Sequence, residues 1–174
     1  MDKTRLALIG VGMIGKRHLK AMRDVAEAEL AALVDTVPGV SELAREWSVP
    51  FFETTDSMLK EIAPDGVIVC TPTEVHLEPV LQSLNAGAHV LVEKPITASL
   101  EEARQIIEKA SATRKQVLVG HHRRHYGILH KTKQLLNNGA LGQLIAVQGL
   151  WTTRKADAYY EPEWRKLRSS GPVL

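Results

Sequence analysis

The stretch Arg5-Leu-Ala-Leu-Ile-Gly10-Val-Gly12-Met-Ile-Gly15 decides the fold. Its first half is an unbroken apolar run, the pattern of a strand buried on both faces. Its second half reads Gly-x-Gly-x-x-Gly. In that pattern Gly10 allows the tight turn out of the strand, Gly12 lets the backbone approach a pyrophosphate, and Gly15 lets the following helix pack close against the strand. The free N–H groups where that helix begins, at Met13 and Ile14, carry partial positive charge and can hold an anion. The glycines alone are a weak signal. Here a strand precedes them, the spacing predicts a helix over 13–25, and Asp35 closes the next strand 20 residues after Gly15. That is the context of a dinucleotide-binding βαβ unit.

Asp35 can accept hydrogen bonds from an adenosine ribose diol and would repel a 2′-phosphate at the same place. The expected cofactor is therefore NAD. Arg45, further along, keeps NADP as the less favoured alternative.

Beyond this unit, short apolar runs alternate with amphipathic segments. A helix over 40–47, a weak strand over 50–53 and a helix over 56–62 lead to the strand Gly66-Val-Ile-Val-Cys70. Leu77, Val80, Leu81 and Leu84 then fall on one face of a helix, and Gly87 suits its end. The strand His89-Val-Leu-Val92 comes next. Ser99 and Glu102 form a Ser-x-x-Glu capping pattern for a helix to about Ala112, and the strand Gln116-Val-Leu-Val119 closes the series. Strands apolar on both faces, separated by helices, describe an α/β domain with a Rossmann-type, doubly wound parallel sheet. It covers residues 1–120. From His121 the texture changes: a basic stretch, a helix over 128–138, and a run from Leu144 to Trp151 that reads as a strand of another sheet. Residues 121–174 are expected to begin a second, incomplete α+β domain.

In an open parallel sheet, ligands gather at the carboxyl ends of the strands. Thr71-Pro72-Thr73 and Glu93-Lys94-Pro95 should thus share one rim with the glycine loop and Asp35, and His76 can face it. A lysine beside a dinucleotide can orient a substrate hydroxyl and exchange its proton.

Composition bounds the remaining classes. With 174 residues, 44% hydrophobic and 24% charged, the chain is of ordinary globular make-up. No apolar run reaches the length of a membrane span. Met1-Asp2-Lys3-Thr4-Arg5 leads straight into a strand without a signal-peptide pattern, and the lone Cys70 rules out a disulfide within the chain. A cytoplasmic protein is expected. Charge is uneven. Between Glu108 and Asp157 no acid occurs, while nine Lys or Arg and four His do, against a net charge of +2 for the whole chain. This reads as a solvated basic face or a local field for an anionic ligand. Only Tyr126 interrupts the charges between Arg114 and Lys133, so a nucleic-acid partner is not expected. His121, His122, His125 and His130 lack neighbouring carboxylates or Cys, and no metal site is expected.

These residues together resemble the glucose-fructose oxidoreductase, inositol dehydrogenase and rhizopine-catabolism oxidoreductases, the Gfo/Idh/MocA family. The resemblance rests on Gly10–Gly15, Cys70-Thr-Pro-Thr-Glu-Val-His76, Ala86-Gly-Ala-His-Val-Leu-Val-Glu-Lys-Pro95, Arg123-Arg124 and Glu163-Trp-Arg165. It implies NAD(P)-dependent oxidation of a sugar, polyol or related hydroxyl, or the reverse reduction. It also implies that Thr71, Pro72, Thr73, His76 and Glu93 line the dinucleotide, and that Lys94 meets nicotinamide and substrate as the catalytic residue. Arg123, Trp164 and Arg165 would approach the substrate, and the full-length protein would be a homo-oligomer. Family members run to roughly twice this length, where a single domain spans about 100–200 residues. They place an acid/base His beyond the point that matches Leu174. The expected function is an NAD-dependent oxidoreductase. The alternative is a truncated or catalytically silent NAD-binding module.

Overall fold

The computed structural model describes residues 3–161 and residue 163. They divide between Gly120 and His121 into two compact units.

The first unit holds six strands: β1 (Thr4–Ile9), β2 (Ala28–Val34), β3 (Phe51–Phe52), β4 (Gly66–Val69), β5 (His89–Val92) and β6 (Val117–Val119). They form one sheet in the order β3-β2-β1-β4-β5-β6, and every pairing is parallel. Five helices connect them: α1 (Met13–Met22), α2 (Val40–Glu46), α3 (Thr55–Ile62), α4 (Leu77–Asn85) and α5 (Leu100–Thr113). The chain winds outward from β1 to β3, then crosses back to β4. Adjacent β1 and β4 therefore mark the point where strand order reverses, the place at which open α/β sheets bind ligands.

The core explains why the strands lack alternation. Ala7, Ile9, Val67, Val69, Val90 and Val92 point to one face, where Met58 of α3, Val80 and Leu84 of α4 and Ile106 of α5 cover them. Leu8, Leu33 and Ile68 point to the other, under Leu19 of α1 and Val40 and Ala44 of α2. Each of these strand residues finds an apolar cover on its own side, worth about 1.5–3 kcal/mol for each large side chain fully buried. Observed elements match the expected ones to within a few residues at each end. Glu102 differs in one detail: its carboxylate accepts from the Ala98 N–H instead of from Ser99.

The second unit contains the helix α6 (Gly127–Asn137), preceded by a 3₁₀ turn at His122–His125 and followed by another at Asp157–Tyr160. The strand expected over Leu144–Trp151 does not form. A β-ladder needs a neighbouring backbone to accept and donate its hydrogen bonds, and none of the described residues pairs with this segment. Ile145, Val147, Leu150 and Trp151 are accordingly exposed. An apolar run supplies the side chains of a strand but not its partner.

Candidate functional site

Hydrogen bonds carry the parallel ladder one residue past five of the six strands. Gly10 donates to the Val34 carbonyl, Cys70 to Ile9, Glu93 to Val69 and Gly120 to Val92, at 2.7–2.9 Å. Asp35 donates likewise to Phe52 at 3.1 Å. The carboxyl rim is therefore a line across the sheet: Asp35, Gly10, Cys70, Glu93, Gly120. Most residues expected to bind cofactor lie on this line or just beyond it.

At its centre is the glycine loop. Gly10 has φ +86°, and a Cβ there would come within 2.7 Å of the Thr71 nitrogen. Only glycine allows this turn against the end of β4. A Cβ on Gly15 would run into the Gly10 carbonyl oxygen, so the start of α1 folds directly onto the loop. Gly12 is different. It is exposed, and a Cβ there would meet nothing within 4 Å. As the N-cap of α1 it brings no side-chain hydrogen bond, and the first turn holds no acid. The positive end of α1 is thus left open beside Met13, which is exposed, and Ile14, which is half-buried. These features fit the pyrophosphate of a dinucleotide: an uncapped helix start, and free space where a side chain would stand.

Asp35 is fixed from two sides. Its Oδ2 accepts the Val11 N–H at 2.7 Å and its Oδ1 the Val37 N–H at 2.9 Å. The carboxylate thereby ties the end of β2 to the glycine loop. Each oxygen keeps lone pairs for further donors.

After β4, Thr71 and Pro72 lead into a 3₁₀ turn over Thr73–Val75. Thr71 is half-buried, Pro72 exposed and Thr73 buried. His76 is buried. Its Nε2 lies 2.8 Å from the Thr71 carbonyl oxygen, and its Nδ1 lies 3.0 and 3.2 Å from the carbonyls of Pro95 and Ile96. All its partners are acceptors in the protein, so the ring joins the turn after β4 to the loop after β5. The expectation that His76 faces the rim gives way to this placement, because both nitrogens are spent on backbone.

At the end of β5, Lys94 is exposed and the Lys94–Pro95 peptide is cis. Glu93 beside it is enclosed, with its side chain 14% exposed. Its Oε1 lies 3.0 Å from Nε2 of His18 on α1, and its Oε2 accepts the backbone N–H of Lys94 at 3.1 Å. Burial pushes the Glu93 carboxyl up. The bonds from His18 and the Lys94 N–H, with the charges of His18 and Lys94, outweigh burial and hold it below the usual carboxylate range. Burial, aided by the Glu93 charge, pushes the Cys70 thiol up to about 12. Cys70 is therefore a neutral thiol at physiological pH and not a nucleophile.

Two residues of this site, His18 and Gly120, were not singled out by sequence reasoning. A usable signal existed for the first. His18 lies three residues after Gly15 and next to Leu19, both buried against the sheet, so it shares their helix face. Arg123 belongs to the second unit, in the turn before α6, where its guanidinium lies 3.8 Å from the Trp151 ring centroid. Trp164 and Arg165 lie outside the described residues.

Comparison with known proteins agrees with this geometry. Residues 4–121 match the family described as "Oxidoreductase family, NAD-binding Rossmann fold" (GFO_IDH_MocA). The chain is 30% identical to inositol 2-dehydrogenase of Rhizobium meliloti (strain 1021), over 82% of this chain and 43% of that protein. It is 31% identical to scyllo-inositol 2-dehydrogenase (NAD(+)) of Bacillus subtilis (strain 168), over 99% of this chain and 50% of that one. Among solved structures, scyllo-inositol dehydrogenase from Lactobacillus casei with bound cofactor NAD(H) and scyllo-inositol superimposes with a TM-score of 0.77. The two are 28% identical, over 81% of this chain and 43% of that chain. The chain spans about half the length of the curated relatives it matches.

Proposed function

The chain belongs to the Gfo/Idh/MocA oxidoreductase family, and from that premise we propose an NAD-dependent dehydrogenase that acts at a hydroxyl-bearing carbon of a sugar, polyol or related compound. The observation that carries this reading is the open, uncapped glycine start of α1 between the fixed Asp35 carboxylate and the exposed Lys94, all on one rim. Residues 1–120 form the cofactor domain in this reading, and residues 121–174 begin the substrate-facing one.

The amides at Gly12, Met13 and Ile14 take the pyrophosphate, with Gly10 and Gly15 setting the loop that aims them. Asp35 accepts the hydroxyls of the adenosine ribose, and its charge disfavours a 2′-phosphate. Thr71, Pro72 and Thr73 form the wall between the two halves of the dinucleotide, and His76 supports that wall from behind. NAD(H), when bound, supplies the acceptor or donor of a hydride. Lys94 holds the substrate hydroxyl by hydrogen bonding, and the acid/base His that the family resemblance implies takes or returns its proton. Arg123, Trp164 and Arg165 approach the substrate on the strength of the family resemblance, which also favours a homo-oligomer. The single Cys70 supports a cytoplasmic setting.

Two measurements test the reading. Calorimetric titration should show NAD(H) binding at least tenfold tighter than NADP(H), about 1.4 kcal/mol, and Asp35→Ala should narrow that gap. Equal or tighter NADP(H) binding by the unaltered chain would overturn the cofactor assignment. With a panel of inositols and sugars, Lys94→Ala in a full-length parent should lower turnover by about a hundredfold while cofactor binding changes far less. Retained turnover in that variant removes Lys94 from the chemistry. In that full-length parent, NAD binding without turnover on any panel member favours a silent binding module instead.

A further inference from the structure

We propose that Lys94 is held between two histidine clamps, with His18 and His76 acting as positioning residues that fix the backbone on either side of it. The proposal rests on the reading of Lys94 as the residue that handles the substrate hydroxyl.

The upstream clamp is Glu93. Side chains alternate along β5, with Val90 and Val92 facing α4 and α5 and Leu91 packed on the α1 side. Glu93 therefore points toward α1. There its carboxylate meets His18 Nε2 at 3.0 Å. Gly120, at the end of β6, leaves the room it needs: a Cβ on Gly120 would fall 2.8 Å from Glu93 Oε1. Elements α1, β5 and β6 thus converge on one largely enclosed carboxylate.

The position of that carboxylate matters because of what its second oxygen does. The parallel ladder ends at Glu93, whose N–H goes to Val69. The next N–H, that of Lys94, has lost its strand partner, and Glu93 Oε2 accepts it at 3.1 Å. A side chain held from α1 thereby takes over where the sheet stops. The depressed Glu93 carboxyl agrees with this arrangement, since the charged form is the one that accepts both bonds.

The downstream clamp is His76. Its Nδ1 lies 3.0 and 3.2 Å from the carbonyls of Pro95 and Ile96, the two residues after Lys94, and Nε2 lies 2.8 Å from the Thr71 carbonyl; with the proton on Nδ1 the ring donates to the loop that follows Lys94. Lys94 is exposed and has a long flexible side chain, so its aim depends on where its Cα is held. A misplacement of about 1 Å costs on the order of a hundredfold when a reacting group is involved.

The test uses amide hydrogen exchange of the whole chain, read at Lys94. His18→Ala should speed exchange of the Lys94 amide by about tenfold or more, with β1 and β4 amides unchanged. His18→Gln places an amide nitrogen near the position of Nε2 and should restore slow exchange at Lys94. Gly120→Ala should speed it again by displacing the carboxylate from the other side, which serves where His18→Ala unfolds the chain. Unchanged Lys94 exchange in His18→Ala, or a folded His18→Gln that behaves like His18→Ala, overturns the proposal. The exchange arm involves neither substrate nor turnover. Failure of Lys94→Ala to lower turnover would therefore defeat the catalytic reading of Lys94 separately from the clamp.

Discussion

Two helices of the first unit begin in opposite ways. The start of α5 is closed: Ser99 Oγ accepts the Glu102 N–H at 3.2 Å, Glu102 reaches back to the Ala98 N–H, and Glu101 and Glu102 place negative charge on the first turn. The start of α1 is open: Gly12 offers no cap, the first turn has no acid, and Lys16 and Arg17 follow, both exposed. A cap at α1 would add stability, and the helix dipole would favour an acid there. Both are missing at the helix that follows the central strand of the sheet. The contrast teaches that unmet hydrogen-bonding capacity at a rim is informative when a sister element shows how the same chain meets it elsewhere.

The strongest way to break the contrast is to destroy the open start. Gly10→Ala introduces a Cβ at φ +86° and drives it to within 2.7 Å of the Thr71 nitrogen. Backbone strain and overpacking each cost about 1–3 kcal/mol, so the variant should lose about 3 kcal/mol of stability together with NAD binding. Urea unfolding read by circular dichroism checks the first, and titration with NADH the second. A Gly10→Ala protein of unaltered midpoint would mean that the loop relaxes away from β4 without cost.

Much of this was legible in the residue order, and the reasons differ from place to place. The central strands were legible because they are covered on both faces: Leu6 to Ile9 and Gly66 to Val69 have no position left for a polar side chain. The open start of α1 was legible because glycine spacing encodes a backbone shape. Other features depend on distant partners. His18 and Glu93 are 75 residues apart in sequence, and the helix face that turns His18 toward the sheet does not say which residue it meets there. His76 looked like a ligand-facing residue because its position in the turn after β4 was right. Its buried acceptors come from Pro95 and Ile96, which only the fold brings near. The run from Leu144 to Trp151 shows the reverse failure, where local pattern promised a strand and no neighbouring backbone among the described residues completed it.

A second experiment closes α1 as α5 is closed. Gly12 sits at φ −70°, ψ −162°, a conformation any residue adopts, and a side chain there meets nothing within 4 Å. Gly12→Asp should therefore fold and gain a few tenths of a kcal/mol, since an aspartate cap exceeds glycine by that amount. The same carboxylate would stand where the pyrophosphate is proposed to bind and repel it. NAD binding should weaken at least tenfold, about 1.4 kcal/mol, as stability holds or rises. Opposite signs in thermal unfolding and in calorimetric titration are the expected signature. A variant that binds NAD as tightly as the parent would remove the helix start from the cofactor site.

The smallest effect comes from opening α5 as α1 is open. Ser99→Ala removes the oxygen that accepts the Glu102 N–H and leaves that donor with water as its partner. The usual cost of losing such a cap is about 1 kcal/mol. Glu102 still reaches the Ala98 N–H, and the acids of the first turn still oppose the dipole, so the loss should not exceed that figure. Ile106, buried one turn further along, keeps α5 packed on the sheet. The helix should fray at its first turn and not detach. NAD affinity should stay within twofold, because Ser99 serves the helix and Gly12 serves the ligand. Denaturant unfolding and NADH titration of the same preparation decide it. A Ser99→Ala chain that loses cofactor affinity in proportion greater than its stability would show that both helix starts belong to one site, and the distinction between a closed structural end and an open binding end would fall.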